Sequence, residues 1–427
     1  MPSKSRGSPA FFLSSMQNLS LCVQRPSAPS PGNDHAVVAS SLVPTQPLPD
    51  NHVVIRVERF GWSANNVTYE ALGEQAHFRY FDFHSAPQSA KTSPKTHGLV
   101  PVWGFGTIVA SSHPKIAIGE RIYGYLAPCR YLLCPVSPSD VNRHAFYVPR
   151  PHLPADRRPY NQIIRCANDP EYTPTPLGEA LTMLYRPLFF TAYWLADWLH
   201  TRNFHGATAV LISSASAKTA FCAAYLIRKQ RARGEANTEL RIVGLTSKRN
   251  IAFTRGLGLY DEVIEYDELE SKLTASHKWL YVDVAGNDPL NARLCKHLNT
   301  KIVTAVALGM TSLAPASEKA ASLEWQTNTF SAAAKSTAAA QLQFESFFMV
   351  EWLNVRKHQL SMQEIFRRQK EAWAELMRDC VPWVRLVYVF EADAVKRAYD
   401  DVAKTGFSPD VGYIWSLWNE PGQDAKL

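Results

Sequence analysis

The stretch 207–261 constrains the fold more than any other part of the chain. It opens "ATAVLISSASAKTAFCAAYLI", continues through "LRIVGLTSKRN" and closes on "GLGLYDEVIEY". An apolar run that stops at small residues, a helical pattern and a second apolar run ending in a polar clamp read as strand, tight turn, helix and strand, the order a dinucleotide-binding unit requires. A pyrophosphate needs backbone N–H groups facing it and the positive end of a helix dipole. Glycines usually make the room; here the spacing G-x-x-G-x-x-G is filled by Ser214, Ala217 and Ala220. Small side chains keep much of that space, and Ser214, Ser216 and Thr219 add hydroxyl donors. Lys218 offers a cation to the phosphates, or is a solvated lysine at a helix start.

The same alternation continues downstream. Strands are expected at 209–213, 241–245, 262–265, 279–284 and 302–307, and helices at 217–230, 250–257 and 289–298. Short apolar strands alternating with helices mean a parallel sheet covered on both faces. A long charged helical region, 332–377, precedes "WVRLVYVF", "EADAVKRAYDDVAKTG" and "DVGYIWSLW", read as strand, helix, strand. Upstream, "LSLCV", "HAVVASSLV" and "HVVIRVERFGWS" read as strands, the last half-buried with Val53, Ile55 and Val57 inward. "SANNVTYEALG" enters a short helix capped by Ser63 or Asn65. Four or five short strands bounded by Gly and Pro follow in "GLVPVWGFGTIVASSHPKIAIGERIYGYLAPCRYLLCPVSP", as in a small β-barrel. The polar, Pro-rich segment 152–176 reads as the crossing between domains, with "YNQIIRCA" as a helical turn inside it. Beyond it, "PLGEALTMLYRPLFFTAYWLADWLHTRNF" is a helix whose aromatics Phe189, Phe190, Tyr193, Trp194 and Trp198 are mostly core, one or two of them facing a bulky apolar substrate.

A chain of 427 residues with 46% hydrophobic and 19% charged residues is long enough for two domains and excludes disorder for most of its length. The net charge of +7, 45 bases over 38 acids without Lys/Arg blocks, argues for an anionic small ligand and against nucleic acid. Seven cysteines without a CxxC pair fit reduced thiols in an intracellular, cytoplasmic protein. No apolar run is long enough for a transmembrane helix, so no membrane partner is expected. The leader lacks acids before Asp34; it fits a mitochondrial transit peptide or a disordered segment.

These pieces, in this order over residues 17–418, resemble the medium-chain dehydrogenase/reductases, nearest the zinc-free quinone oxidoreductases, as a divergent branch of unknown function. The matching stretches are "SANNVTYEALG", "VPVWGFGTIVASSHPKIAIGERIYGY", "FFTAYWLA", "VLISSASAKTAFCAAYL" and "LYVDVAGN". The resemblance implies an α/β protein, a GroES-like β-barrel domain plus a Rossmann doubly wound parallel sheet. Residues 1–15 are then a disordered leader, 16–185 the first part of the substrate domain, 186–345 the cofactor domain and 346–427 the return. A homodimer paired through sheet edges is implied as well, although the family's terminal GK-V is replaced by "DVGYIWSLW".

Cofactor preference follows from the clamp. An acid there would bind the ribose of NAD; Ser247, Lys248 and Arg249 supply hydroxyl and cations instead, which favours NADPH. Zinc is not expected: "NNVTY" and "VWGFG" stand where the zinc branch has its ligands, and there is no four-cysteine lobe. Cys129 and Cys134 read as core thiols, and His84, His97 and His113 as surface histidines. In metal-free members the protein orients the substrate and polarises its carbonyl. Asn66 and Tyr69 stand where the resemblance places substrate-facing donors, with a helix cap and a packed aromatic as their plain alternatives. Tyr80 and Arg79 are placed in the same region. Thr191 matches a position near the nicotinamide and reads equally as a packed helical threonine; Asp283 ends a strand at the ligand-binding edge and reads equally as a helix cap. The expected activity is NADPH-dependent, metal-free reduction of a carbonyl or activated alkene in a small apolar or aromatic carbonyl or enone substrate. Two rivals are a redox-silent lyase or hydrolase acting on an enolisable ketone and a non-catalytic NADPH-binding sensor.

Overall fold

The computed structural model describes residues 17–28, 35–44, 46–76, 78–308, 344–345 and 347–420. The chain divides into two units, one of Met1–Met183, Leu386–Phe407 and Gly412–Leu427, the other of Leu184–Arg385 and Ser408–Val411.

In the first unit β1 (Gln17–Gln24) pairs antiparallel with β2 (Ala36–Leu42) and, at its end, with β4 (His97–Gly98). A larger sheet is built on β3 (His52–Trp62), which pairs with β5 (Val102–Ser111), β7 (Tyr131–Pro135) and the late strand Val411–Ser416. From β5 it continues through β6 (Arg121–Leu126) and β9 (Gln162–Arg165) to β8 (Ala145–Tyr147). β3 was expected to be half-buried, yet Val54 is buried along with Val53 and Ile55, because Val43, Leu48 and Tyr131 cover its second face. The β5 glycines let β3 come close: a Cβ on Gly106 would lie 2.6 Å from the Arg56 carbonyl oxygen, and one on Gly104 2.8 Å from that of Arg59. Within "YNQIIRCA" the ends lie in 3-10 turns, Ala155–Asn161 and Cys166–Asn168, but the middle is corrected from a helical turn to strand β9, since Ile163 and Ile164 complete a ladder with β6 and β8. The supposed crossing segment thus contributes one strand to the first sheet.

Helix α1 (Ala64–Ala71) follows β3 and is capped by Ser63. Its buried Glu70 accepts from the Tyr399 hydroxyl at 2.9 Å and pairs with His35 Nε2 at 2.6 Å. Tyr399 lies on the late helix Ala392–Thr405, and Trp415 of the late strand stacks on Trp62 at 4.8 Å. The three histidines read as exposed are buried. Each has a polar partner that makes this tolerable: His84 Nε2 faces the Tyr125 carbonyl, His97 Nδ1 the Thr96 hydroxyl, and His113 Nδ1 accepts the Lys115 N–H.

The second unit begins within α2 (Pro176–Thr201). It continues as β10 (Ala209–Ile212), α3 (Lys218–Ala232), β11 (Arg241–Thr246), α4 (Ile251–Gly256), β12 (Glu262–Glu265), α5 (Leu269–Lys272), β13 (Trp279–Asp283), α6 (Asp288–Leu298), β14 (Ile302–Ala307) and β15 (Phe344–Glu345). All neighbours are parallel, in the order β12-β11-β10-β13-β14-β15. That is the doubly wound Rossmann order, whose direction reverses between β10 and β13. The strands are apolar on both faces because helices cover both. The expected helix 332–377 is two helices where described, Met349–Gln359 and Met362–Asp379, the second capped by Ser361; its part before residue 344 lies outside the described residues. Both helices pack on the second unit: Trp352 Nε1 donates to Asp197, Asp379 accepts from the Tyr225 hydroxyl, and Trp373 lies against Phe189. The return to the first unit therefore starts at Leu386 rather than at residue 346. Phe189, Trp194 and Trp198 are buried, while Phe190 and Tyr193 are half-buried.

Candidate functional site

The turn between β10 and α3 lies at the carboxyl edge of the parallel sheet, next to the point where the strand order reverses. Ser214 sits at φ +50, a left-handed conformation that glycine adopts at no steric cost and serine only under strain. The turn has therefore kept a backbone shape usually supplied by glycine. Ala215 passes close to β11 because position 244 is glycine; a Cβ there would stand 2.8 Å from that of Ala215. The Tyr260 hydroxyl supports the turn from behind by donating to the Ala215 carbonyl at 2.9 Å.

Ser216 joins this turn to the clamp after β11. Its hydroxyl accepts from Asn250 Nδ2 at 3.0 Å and lies 3.5 Å from Thr246 Oγ1. Lys248 and Arg249 are exposed and Ser247 half-buried on the same short segment. Ala217 is the N-cap of α3, and no side chain caps the helix, so its first-turn N–H groups keep their positive end open. Lys218 and Thr219, the first two helical residues, are half-buried. Burial holds the Lys218 ammonium down at about 8, and among the described residues it has no hydrogen-bond or ion-pair partner. The Ser214 N–H donates to the Tyr266 hydroxyl at 3.0 Å, a contact between residues 52 positions apart that no motif marks.

Asp283 is neither a helix cap nor exposed at this edge. It is buried and accepts from Ser213 Oγ, Tyr281 Oη and the Gly286 N–H through Oδ1 and from Asn291 Nδ2 through Oδ2. Burial pushes its carboxyl upward, and these donors oppose the shift. Ser213 in turn accepts the Val284 and Ala285 N–H groups, so Asp283 stitches β10 to β13 beneath the turn. Asn287 caps α6 instead. Thr191 donates to the Pro187 carbonyl of its own helix at 3.1 Å, as a packed helical threonine does.

In the first unit, Asn66 is the closing half of a capping box. Its Oδ1 accepts the Ser63 N–H at 2.9 Å and its Nδ2 donates to the Pro101 carbonyl at 3.1 Å, so both ends of the buried amide are engaged in the fold. Tyr69 is different. Its hydroxyl accepts from Asn65 Nδ2 at 2.7 Å and from Trp103 Nε1 at 3.3 Å, and its own hydrogen has no acceptor among the described residues. Burial raises its pKa well above the usual phenol value, so it stays protonated and acts as a donor. The ring lies 4.6 Å from Tyr80, 5.3 Å from Tyr125 and 6.5 Å from Tyr160. Tyr80 is buried against the Arg157 guanidinium, 5.9 Å away, and burial raises its pKa as well. Arg79 turns outward to Asp82. Trp103 and Tyr125 are missed in the sequence because a strand aromatic reads as core, and Tyr160 because it lies in the 3-10 turn Ala155–Asn161 of a polar, Pro-rich segment.

Among the described residues no group of three or more His, Cys, Asp or Glu is gathered for a metal ion, and no helix is long and apolar enough to cross a membrane. All seven cysteines are buried free thiols.

The fold is similar to that of CurA from Vibrio vulnificus, at a TM-score of 0.53 and 12% identity over 95% of this chain and 99% of that one. CurA in complex with NADPH, from the same organism, gives 0.55 and 11% over 94% and 100%. The quinone oxidoreductase from Coxiella burnetii gives 0.51 and 13% over 94% and 99%. At such identities the likeness is one of fold, and it bears out the GroES-like and Rossmann architecture. No curated protein sequence matches the chain. A family model described as protein of unknown function (DUF2855) matches residues 60–408, most of the chain, and to that family the protein belongs.

Proposed function

We propose that this protein is an NADPH-dependent, metal-free oxidoreductase that reduces a carbonyl or an activated alkene of a small apolar or aromatic molecule. One observation carries the reading: the Asn250–Ser216 hydrogen bond fixes the acid-free segment Ser247-Lys248-Arg249 against the small-residue turn. A dinucleotide fits that arrangement. The first turn of α3 and Lys218 would hold its phosphates, and Ser247, Lys248 and Arg249 a ribose 2′-phosphate, through charge-assisted hydrogen bonds. When bound, NADPH supplies a hydride. Tyr69 would donate its free hydrogen to the substrate oxygen that gains negative charge, with Asn65 and Trp103 holding the phenol in place. The CurA complex with NADPH, a similar fold, supports the choice of cofactor. Pairing into a homodimer is part of the same proposal.

Calorimetric titration with NADPH and NADH tests it. Micromolar NADPH binding is expected, weakened roughly tenfold to a hundredfold in the Lys248→Ala, Arg249→Ala double variant, since two charge-assisted contacts are lost. Binding of neither cofactor sinks the reading. Binding without oxidation of NADPH by a panel of quinones and enones would transfer it to the sensor.

A further inference from the structure

The Ser214–Tyr266 hydrogen bond does something the fold does not require. Ser214 follows β10 and Tyr266 follows β12, with β11 between them. The phenol therefore reaches across the carboxyl end of β11, over two strand spacings or roughly 10 Å. Ligands bind at this edge in open α/β sheets, and Ser247, Lys248 and Arg249 emerge from the same strand end. The ring of Tyr266 is half-buried against the core of the unit, and burial keeps its hydroxyl protonated and uncharged. The backbone amide it holds belongs to the left-handed residue of the phosphate turn, so its direction is fixed.

We infer that Tyr266 sets the ligand requirement of this site: a phosphate-bearing nucleotide takes the Ser214 N–H from the phenol, and an uncharged nucleoside does not. The inference rests on the nucleotide reading above. A hydrogen bond to an anionic oxygen is about twice as strong as one to a neutral acceptor, so a phosphate gains on the exchange while a neutral oxygen only breaks even. The phenol also accepts this partly buried N–H in the unliganded protein. In return, the nucleotide binds less tightly than it would to a turn whose amide is free.

The test is calorimetry on the full chain, as wild type, Tyr266→Phe and the Lys248→Ala, Arg249→Ala variant, with NADPH and with adenosine as the neutral probe. Removing the phenol oxygen should tighten NADPH binding by roughly fivefold to tenfold, one net hydrogen bond. Hydrogen exchange at the Ser214 amide should also speed up in the unliganded Phe variant. Tyr266→Leu serves as a second variant with the same expected sign, both being checked for native circular dichroism. NADPH binding to wild type, tightened in both the Phe and the Leu variants, supports the inference. Equal or weaker NADPH binding by both variants overturns it and leaves the nucleotide reading intact, as does adenosine binding to wild type within tenfold of NADPH. No binding by any of the proteins overturns the nucleotide reading and this inference with it.

Discussion

Lys218 stands at the first turn of α3 with its ammonium half-buried and without a hydrogen-bonded or ion-pair partner among the described residues, and burial, only partly opposed by the charge of Asp410, lowers its pKa to about 8. A phosphate there binds the protonated form. NADPH affinity should therefore fall as pH rises through about 8. Lys218→Met should lower the affinity at pH 7 about fivefold and flatten that profile, measured as Kd at intervals from pH 6.5 to 9.5. A pH-independent Kd in the wild type would exclude the lysine from the phosphate site. Residue type alone made Lys218, Ser216 and the acid-free clamp legible, because charge and size are properties of the letters. Asn66 and Tyr69 looked alike in the sequence and differ in the structure by what surrounds them: the Pro101 carbonyl takes the amide of one, while Asn65 and Trp103 leave the hydrogen of the other unused. Tyr266 was illegible because its partner is 52 positions away.

At the scale of elements, periodicity located most of the second unit's strands and helices to within a residue or two. Parallel strands covered on both faces are short apolar runs with helices between them, and that contrast is visible in the letters. The first sheet was harder. β9 was hidden in a polar, Pro-rich segment because only Ile163 and Ile164 mark it, and β3 is covered on its second face by Val43 and Leu48 from an earlier segment. Its register rests on two glycines of β5. Gly106→Ala would force a Cβ to within 2.6 Å of the Arg56 backbone oxygen, where nothing flexible can yield. It should destabilise the first unit by about 2–3 kcal/mol in urea unfolding, as overpacking of a close contact does. Gly119→Ala meets no atom within 4 Å and strains only its positive φ of 91°, so it should cost about 1 kcal/mol.

The first unit, taken whole, is closed by parts from both ends of the chain. Tyr399 and His35 meet on Glu70, and the Glu70 hydrogen bond, aided by the charges of Glu70 and Asp400, raises the His35 pKa above its usual value against the opposing effect of burial. A raised histidine pKa stabilises the fold fully below the unfolded value and loses that contribution as pH climbs through the folded one. The melting temperature of the unit should therefore decline from about pH 6.5 upward, and His35→Gln should remove that part of the decline in scanning calorimetry between pH 6 and 9. The pairing of Trp62 with Tyr413 has a further consequence, in the order of events on the ribosome. The second unit is nearly continuous and can fold as soon as it emerges. Strand β3 must wait for its last neighbour, roughly 350 residues and about half a minute of synthesis at ~10 residues per second. During that interval the Phe60–Trp62 end of β3, beyond the stretch paired with β7, is open to whatever strand reaches it first. Truncations near the carboxyl terminus should therefore fail by aggregating during synthesis, before any loss of activity could be measured.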